Sequence, residues 1–124
     1  MAEKTRVLVV DDEPAVLRFV RAGLNALGYE VTTAGGGEEA MQMMGKKPYD
    51  VLLLDVFMEP VSGLDVLERL GSDRKLPVIV FSAGSSIIER VMQAGADAFV
   101  PKPFKPDQLA RKIEEVLHKR PIAN

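Results

Sequence analysis

Val51-Leu52-Leu53-Leu54-Asp55 sets four large apolar residues directly against a carboxylate, and the loop Val56-Phe57-Met58-Glu59-Pro60-Val61-Ser62-Gly63 follows. A continuous apolar run of this length is the pattern of a strand buried on both faces, as in a parallel sheet. Asp55 then stands at the C-terminal rim of that sheet, where open α/β folds place their ligands and chemistry. A lone Asp at such a position is more often a turn or helix-capping residue, so its company decides its meaning.

Toward the N-terminus, Val7-Leu8-Val9-Val10 is a second apolar run, stopped by Asp11-Asp12-Glu13. Pro14 suits the first turn of a helix, where a missing N–H costs nothing. Val16, Phe19, Val20, Leu24 and Leu27 recur at helical spacing and predict an inward face running up to Gly28. Glu30 to Ala34 is a weaker strand. Gly35-Gly36-Gly37 reads as a flexible turn before a short helix over Glu38 to Met44, with Ala40, Met41 and Met44 inward. The third strand is predicted over Asp50 to Leu54.

Toward the C-terminus, Leu64, Val66, Leu67 and Leu70 predict a third helix, and Pro77 to Phe81 a fourth strand ending at Ser82. Ile87, Ile88, Val91 and Met92 mark a fourth helix that closes near Ala94-Gly95. Ala98-Phe99-Val100 is a short fifth strand ending at Pro101-Lys102-Pro103. Pro106 opens a last helix with Leu109, Ile113, Val116 and Leu117 on one face. Five βα units in succession imply an α/β fold with helices on both faces of a doubly wound parallel sheet. Right-handed crossovers lead to strand order 2-1-3-4-5.

The chain has 124 residues, 47% hydrophobic and 27% charged, enough for one domain with a real core. It has no Cys, which excludes disulfides, thiolate metal sites and a Cys nucleophile. A formal charge of -2 argues against direct nucleic-acid binding over the whole surface. No run reaches transmembrane length, and the first apolar run is too short for a signal peptide. The expectation is a cytoplasmic protein with no membrane insertion. Residues 1–119 form the expected domain, and 120–124 a tail or the start of a linker.

The strand ends gather the chemistry. The first supplies Asp11, Asp12 and Glu13, the third Asp55, the fourth Ser82 and the fifth Lys102. In the expected topology the first, third, fourth and fifth strands are adjacent, so these residues meet in one cleft. Carboxylates in such a cluster repel one another unless a cation joins them. Oxygen ligands without His or Cys suit a hard cation, most naturally Mg2+. A Lys and a hydroxyl beside it would complete a site for a phosphoryl group.

This constellation resembles the receiver domain of two-component response regulators, from Val7 to about His118. Asp11-Asp12 match that family's acidic pair and Asp55 its phosphoryl acceptor. Met58 and Gly63 match the loop three and eight residues on. Ser82-Ala83, Ala94-Gly95-Ala96 with Phe99, and Lys102-Pro103-Phe104 match the later motifs. The resemblance implies a flavodoxin-like (βα)5 fold and a phosphorylation switch. A histidine kinase or phosphotransfer protein would present phosphohistidine, and Asp55 would attack it. Asp12, Asp55 and the backbone carbonyl of Phe57 would hold Mg2+, with Asp11 helping through water. Ser82 would move toward the phosphoryl group and Phe99 would rotate into the space it leaves. The face built by the fourth helix, fifth strand and fifth helix would then be read by a downstream protein or output domain, the chain being a monomer or a phosphorylation-dependent dimer. Such a chain catalyses its own phosphotransfer and dephosphorylation but is not a conventional enzyme. A phosphorylation-independent binding module on the same fold is the alternative.

Three departures from that pattern stand out. Glu59 occupies the position four after Asp55 where Pro is usual, and is expected to face solvent. Phe57, two after Asp55, is expected to shield the acyl phosphate from water. The span from Ser82 to Gly95 is about two residues short. Other classes fit less well. A haloacid-dehalogenase-type phosphatase needs a second Asp at the Phe57 position. GxxxxGK[ST] is absent. The Asp-Asp-Glu-Pro loop would repel the phosphate that a dinucleotide binder receives there.

Overall fold

A computed structural model describes residues 4–71 and 73–119. The five strands are β1 (Arg6–Val10), β2 (Glu30–Ala34), β3 (Val51–Asp55), β4 (Val78–Ser82) and β5 (Ala98–Pro101). They form one parallel sheet in the order β2-β1-β3-β4-β5, as the alternation of apolar runs and helical repeats predicted. The helices are α1 (Pro14–Ala26), α2 (Gly37–Lys46), α3 (Gly63–Leu70), α4 (Ile88–Gln93) and α5 (Pro106–Lys119), with a 3-10 turn over Ser85–Ile87 leading into α4. Residues 120–124, read as a tail or linker, lie outside the described residues.

The period-two rule for strands divides the core in two. Leu8, Val10, Leu52, Leu54, Val78 and Val80 face Ala40, Val66, Leu67 and Val91 of α2, α3 and α4. Val7, Val9, Val51, Leu53, Ile79 and Phe81 face Val20, Leu24, Leu109, Ile113 and Val116 of α1 and α5. Every residue of β3 and β4 is buried, which explains why both read as unbroken apolar runs. Burying each such aliphatic side chain contributes about 1.5–3 kcal/mol, so the sheet positions its C-terminal rim rigidly.

The structure corrects several expectations. Phe19 and Leu27 are about half exposed (51% and 50%), although their spacing put them on the inward face of α1. Ile88 and Met92 also lie open, leaving Val91 as the buried residue of α4. Helical periodicity identifies an apolar stripe but not what covers it. The glycine run is not merely a flexible turn. Gly37 begins α2, is buried, and sits where a Cβ would come within 2.7 Å of Val61 and 2.9 Å of Val66. β3 runs one residue later than expected and includes Asp55, whose partner in register is Phe81.

Candidate phosphoryl-acceptor site

The loop after β3 folds back on the strand end. Gly63 N donates to Val56 O at 2.9 Å, and a Cβ at Gly63 would collide with the backbone of Asp55 and Val56. Only glycine allows α3 to start that close to the carboxylate. Ser62 caps α3 with a reciprocal box: its Oγ accepts from Asp65 N at 3.1 Å, and its own N donates to Asp65 Oδ2 at 3.0 Å. Caps of this kind contribute about 1 kcal/mol and hold the loop's exit angle. The Glu59–Pro60 and Lys102–Pro103 bonds are both cis, and Glu59 faces solvent as expected.

Asp11, Asp12 and Asp55 each offer a carboxylate oxygen, and these oxygens lie within 4.8 Å of one another. Asp11 is fully buried and Asp55 is 3% exposed, whereas Asp12 is open to solvent. Lys102 reaches across from the end of β5. Its Nζ lies 3.1 Å from Asp11 Oδ2, 3.5 Å from Asp55 Oδ1 and 3.8 Å from Glu13 Oε1. Asp11 Oδ1 accepts from Glu13 N at 2.9 Å, which orients the carboxylate. Lys102 N donates to Ser82 O at 2.9 Å, so the cation and the hydroxyl-bearing strand end are tied together. Ser82 is fully buried, and its Oγ accepts from Gly84 N at 3.3 Å.

The charges explain the ionisation. Burial pushes the Asp55 carboxyl up to about 6, the neighbouring Asp11 charge pushes the same way, and Lys102 offsets part of both. Burial works against the Lys102 ammonium, but its hydrogen bond to Asp11 and the charges of Asp55 and Asp11 outweigh it and raise its pKa. One ammonium among four acids leaves the pocket electronegative. The donors are all carboxylates, which fit a hard divalent cation rather than a thiolate- or imidazole-seeking one.

The chain matches the response regulator receiver domain family over residues 7–114. It is a receiver domain. It is 39% identical to the transcriptional regulatory protein KdpE of Mycobacterium tuberculosis over 121 residues, 96% of this chain and 54% of that protein. The chain spans about half the length of the curated relatives it matches. Among solved structures, it resembles a CheY-like receiver domain of Methanospirillum hungatei (TM-score 0.87, 30% identity, 95% of this chain and 97% of that one). It also resembles TrrA of Thermotoga maritima, solved in complex with Mg2+ and BeF (TM-score 0.83, 34% identity, 90% of this chain and 98% of that one). The receiver fold is thus shared over nearly the whole chain.

The residues singled out in the receiver sequence divide into two groups. Asp11, Asp12, Asp55 and Lys102 share one cluster, and Ser82 adjoins it. Phe99 does not touch that cluster. It is half-buried in β5, packed against the α2–α3–α4 side of the core, and lines a cavity of about 300 Å3 with Arg111, Lys112 and Glu115 of α5. Phe57 is 60% exposed and lines a cleft of about 440 Å3 together with Asp12 and Arg90. Sequence reading missed the aromatic surroundings of Lys102. Its Nζ lies 5.2 Å from the Phe81 ring centroid, Phe81 meets Phe104 edge-on at 5.5 Å, and Phe104 meets Phe19 at 6.5 Å. The signal available was Phe104 directly after the Lys102-Pro103 pair.

Proposed function

We propose that this receiver takes a phosphoryl group on Asp55 from a phosphohistidine donor, with Mg2+ held by Asp12, Asp55 and the Phe57 carbonyl and aided by Asp11 through water. The observation that carries this reading is the convergence of three carboxylates with Lys102 at Asp55. An Asp55 oxygen attacks phosphorus, the P–N bond to the donor imidazole breaks, and an acyl phosphate forms on Asp55. Mg2+, when bound, offsets charge on the phosphoryl oxygens and neutralises the acids. Lys102 supplies a second positive charge, already in place between Asp11 and Asp55. Ser82 offers a hydroxyl to the phosphoryl group, and its movement frees space for Phe99. The α4–β5–α5 face then presents a second arrangement to a downstream protein or output domain, as a monomer or a phosphorylation-dependent dimer. The same reading sets the receiver in the cytoplasm; among the described residues no helix is long and apolar enough to cross a membrane.

The donor has a docking surface beside the site. Ala15, Val16, Phe19, Ala83, Pro103 and Phe104 form a mostly apolar cleft of about 430 Å3 that borders Lys102. Phe19→Ala is expected to slow transfer from a protein donor about tenfold or more, while leaving transfer from acetyl phosphate within twofold. Equal slowing with both donors would place the effect in the chemistry and not in docking.

Phe57 stands at the mouth, its ring 3.4 Å from where a Cβ on Gly84 would lie. That ring shields the acyl phosphate, so Phe57→Asn is expected to shorten its lifetime severalfold. Following ³²P loss from purified protein measures this, and an unchanged or longer lifetime would remove the shielding role.

The decisive test is intact mass measured promptly after incubation with acetyl phosphate and Mg2+. One added phosphoryl group is expected in wild type, and none in Asp55→Asn or without Mg2+. No addition from acetyl phosphate or from a phosphohistidine protein would leave a binding module that works without phosphorylation.

A further inference from the structure

At the end of the sheet remote from Asp55, the Arg74 side chain is 7% exposed and holds three segments at once. Its Nε donates to Leu76 O at 2.9 Å and its Nη1 to Gly71 O at 2.9 Å. Its Nη2 donates to Gly95 O and to Asp97 Oδ2, the latter at 3.0 Å. Asp97 is itself fixed to β4, since Val78 N donates to Asp97 Oδ2 at 2.8 Å and Asp97 N donates to Val78 O at 2.8 Å. Gly95 has φ of +106°, so the turn after α4 comes within reach of the guanidinium without a side chain in the way. The fork geometry of arginine suits this; a point charge would not reach all four acceptors.

The other end of α4 is held by apolar packing instead, Ile87 at its N-cap being 8% exposed and part of the core. The helix has six residues, no side-chain cap, and Val91 as its buried residue. The hydrogen bond that enters it, Ile87 N to Gly84 O, is long at 3.5 Å. That end runs straight back to Ser82 through the 3-10 turn.

We infer that Arg74 is a positioning residue that pins the turn between α4 and β5, so that α4 swings from its N-terminal end as a lever hinged at Gly95. Motion at Ser82 is thereby delivered to α4, while the start of β5 stays fixed to β4. The coupling to Ser82 rests on the proposed phosphoryl switch; the hinge itself does not.

Native-state amide exchange of the unliganded protein tests the hinge. A step is expected: Val78 and Asp97 amides exchange at least tenfold more slowly than those of Val91 to Gln93. In Arg74→Met the Val78 and Asp97 amides should accelerate at least tenfold, while those of β1 and β3 keep their rates. General destabilisation would instead accelerate all of them. Absence of the step in wild type overturns the hinge, as does an Arg74→Met protein within twofold of wild type at Val78 and Asp97. Should Arg74→Met not fold, the wild-type step alone decides. With Mg2+ and beryllofluoride, the change in wild type should cover residues 84–93 and stop before Gly95. No response there would count against the phosphoryl reading, with the hinge still judged on the unliganded step.

Discussion

Lys102→Met is expected to slow phosphoryl uptake from acetyl phosphate by about 100- to 1000-fold while making Mg2+ bind more tightly. The first effect is the loss of a preorganised cation, the magnitude typical of removing one donor from a charge-stabilising site. The second follows from the same distances. Lys102 Nζ stands 3.1 Å from Asp11 and 3.5 Å from Asp55, so it repels any dication those acids hold. Removing it should raise Mg2+ affinity about tenfold, roughly 1.4 kcal/mol. The titration belongs near pH 8.5, because without the ammonium Asp55 rises further above its present value of about 6 and protons compete with the metal. Calorimetric titration alongside phosphorylation rates separates the two effects. Weaker Mg2+ binding in Lys102→Met would mean that the ammonium organises the acids more than it repels the metal.

Asp55→Asn is expected to abolish the adduct and also to stabilise the metal-free protein at neutral pH. In the fold, Asp55 is raised from 3.8 to about 6. A raised pKa favours the protonated fold, so the contribution is fully present below about pH 4 and is lost as pH climbs through about 6. Two units correspond to at most about 3 kcal/mol, and solvent screening at the open cleft reduces this to about 1–2 kcal/mol. Thermal unfolding without metal should therefore show Asp55→Asn several degrees above wild type at pH 7.5, with the gap closing toward pH 4. Saturating Mg2+ should raise the wild-type Tm at pH 7.5 and shrink the gap. A gap independent of pH would point to a cause other than the charge on Asp55.

The architecture was legible because β3 and β4 are buried on both faces and so appear as apolar runs that end abruptly at Asp55 and Ser82. Parallel strands bring such endings to one rim, so the positions of Asp11, Asp55 and Lys102 followed from topology. The helices were less transparent. Phe19, Leu27, Ile88 and Met92 obey the same 3.6-residue period as core residues, and only the packed structure shows them open. Arg74 left no pattern at all, since three of the four acceptors described above are backbone carbonyls, which no side-chain spacing records. Phe99 was legible as a strand residue, but a half-buried aromatic looks the same in sequence whether it is fixed or poised to turn.

The distance along the chain between the site's acids and their counter-charge also bears on how this protein folds. Lys102 lies 91 residues after the Asp11 it neutralises. A nascent chain has β1, β2 and β3 available long before β5, yet that half would bury Asp11 and Asp55 with no cation between them. The N-terminal half is thus expected to be a poor autonomous folding unit, and the last strand to be synthesised completes the sheet and brings in the counter-charge. A pairing so remote in sequence costs loop-closure entropy before it contributes, which slows the step that forms it. Folding should be faster in mild acid, where Asp55 is protonated, than at neutral pH without a divalent ion.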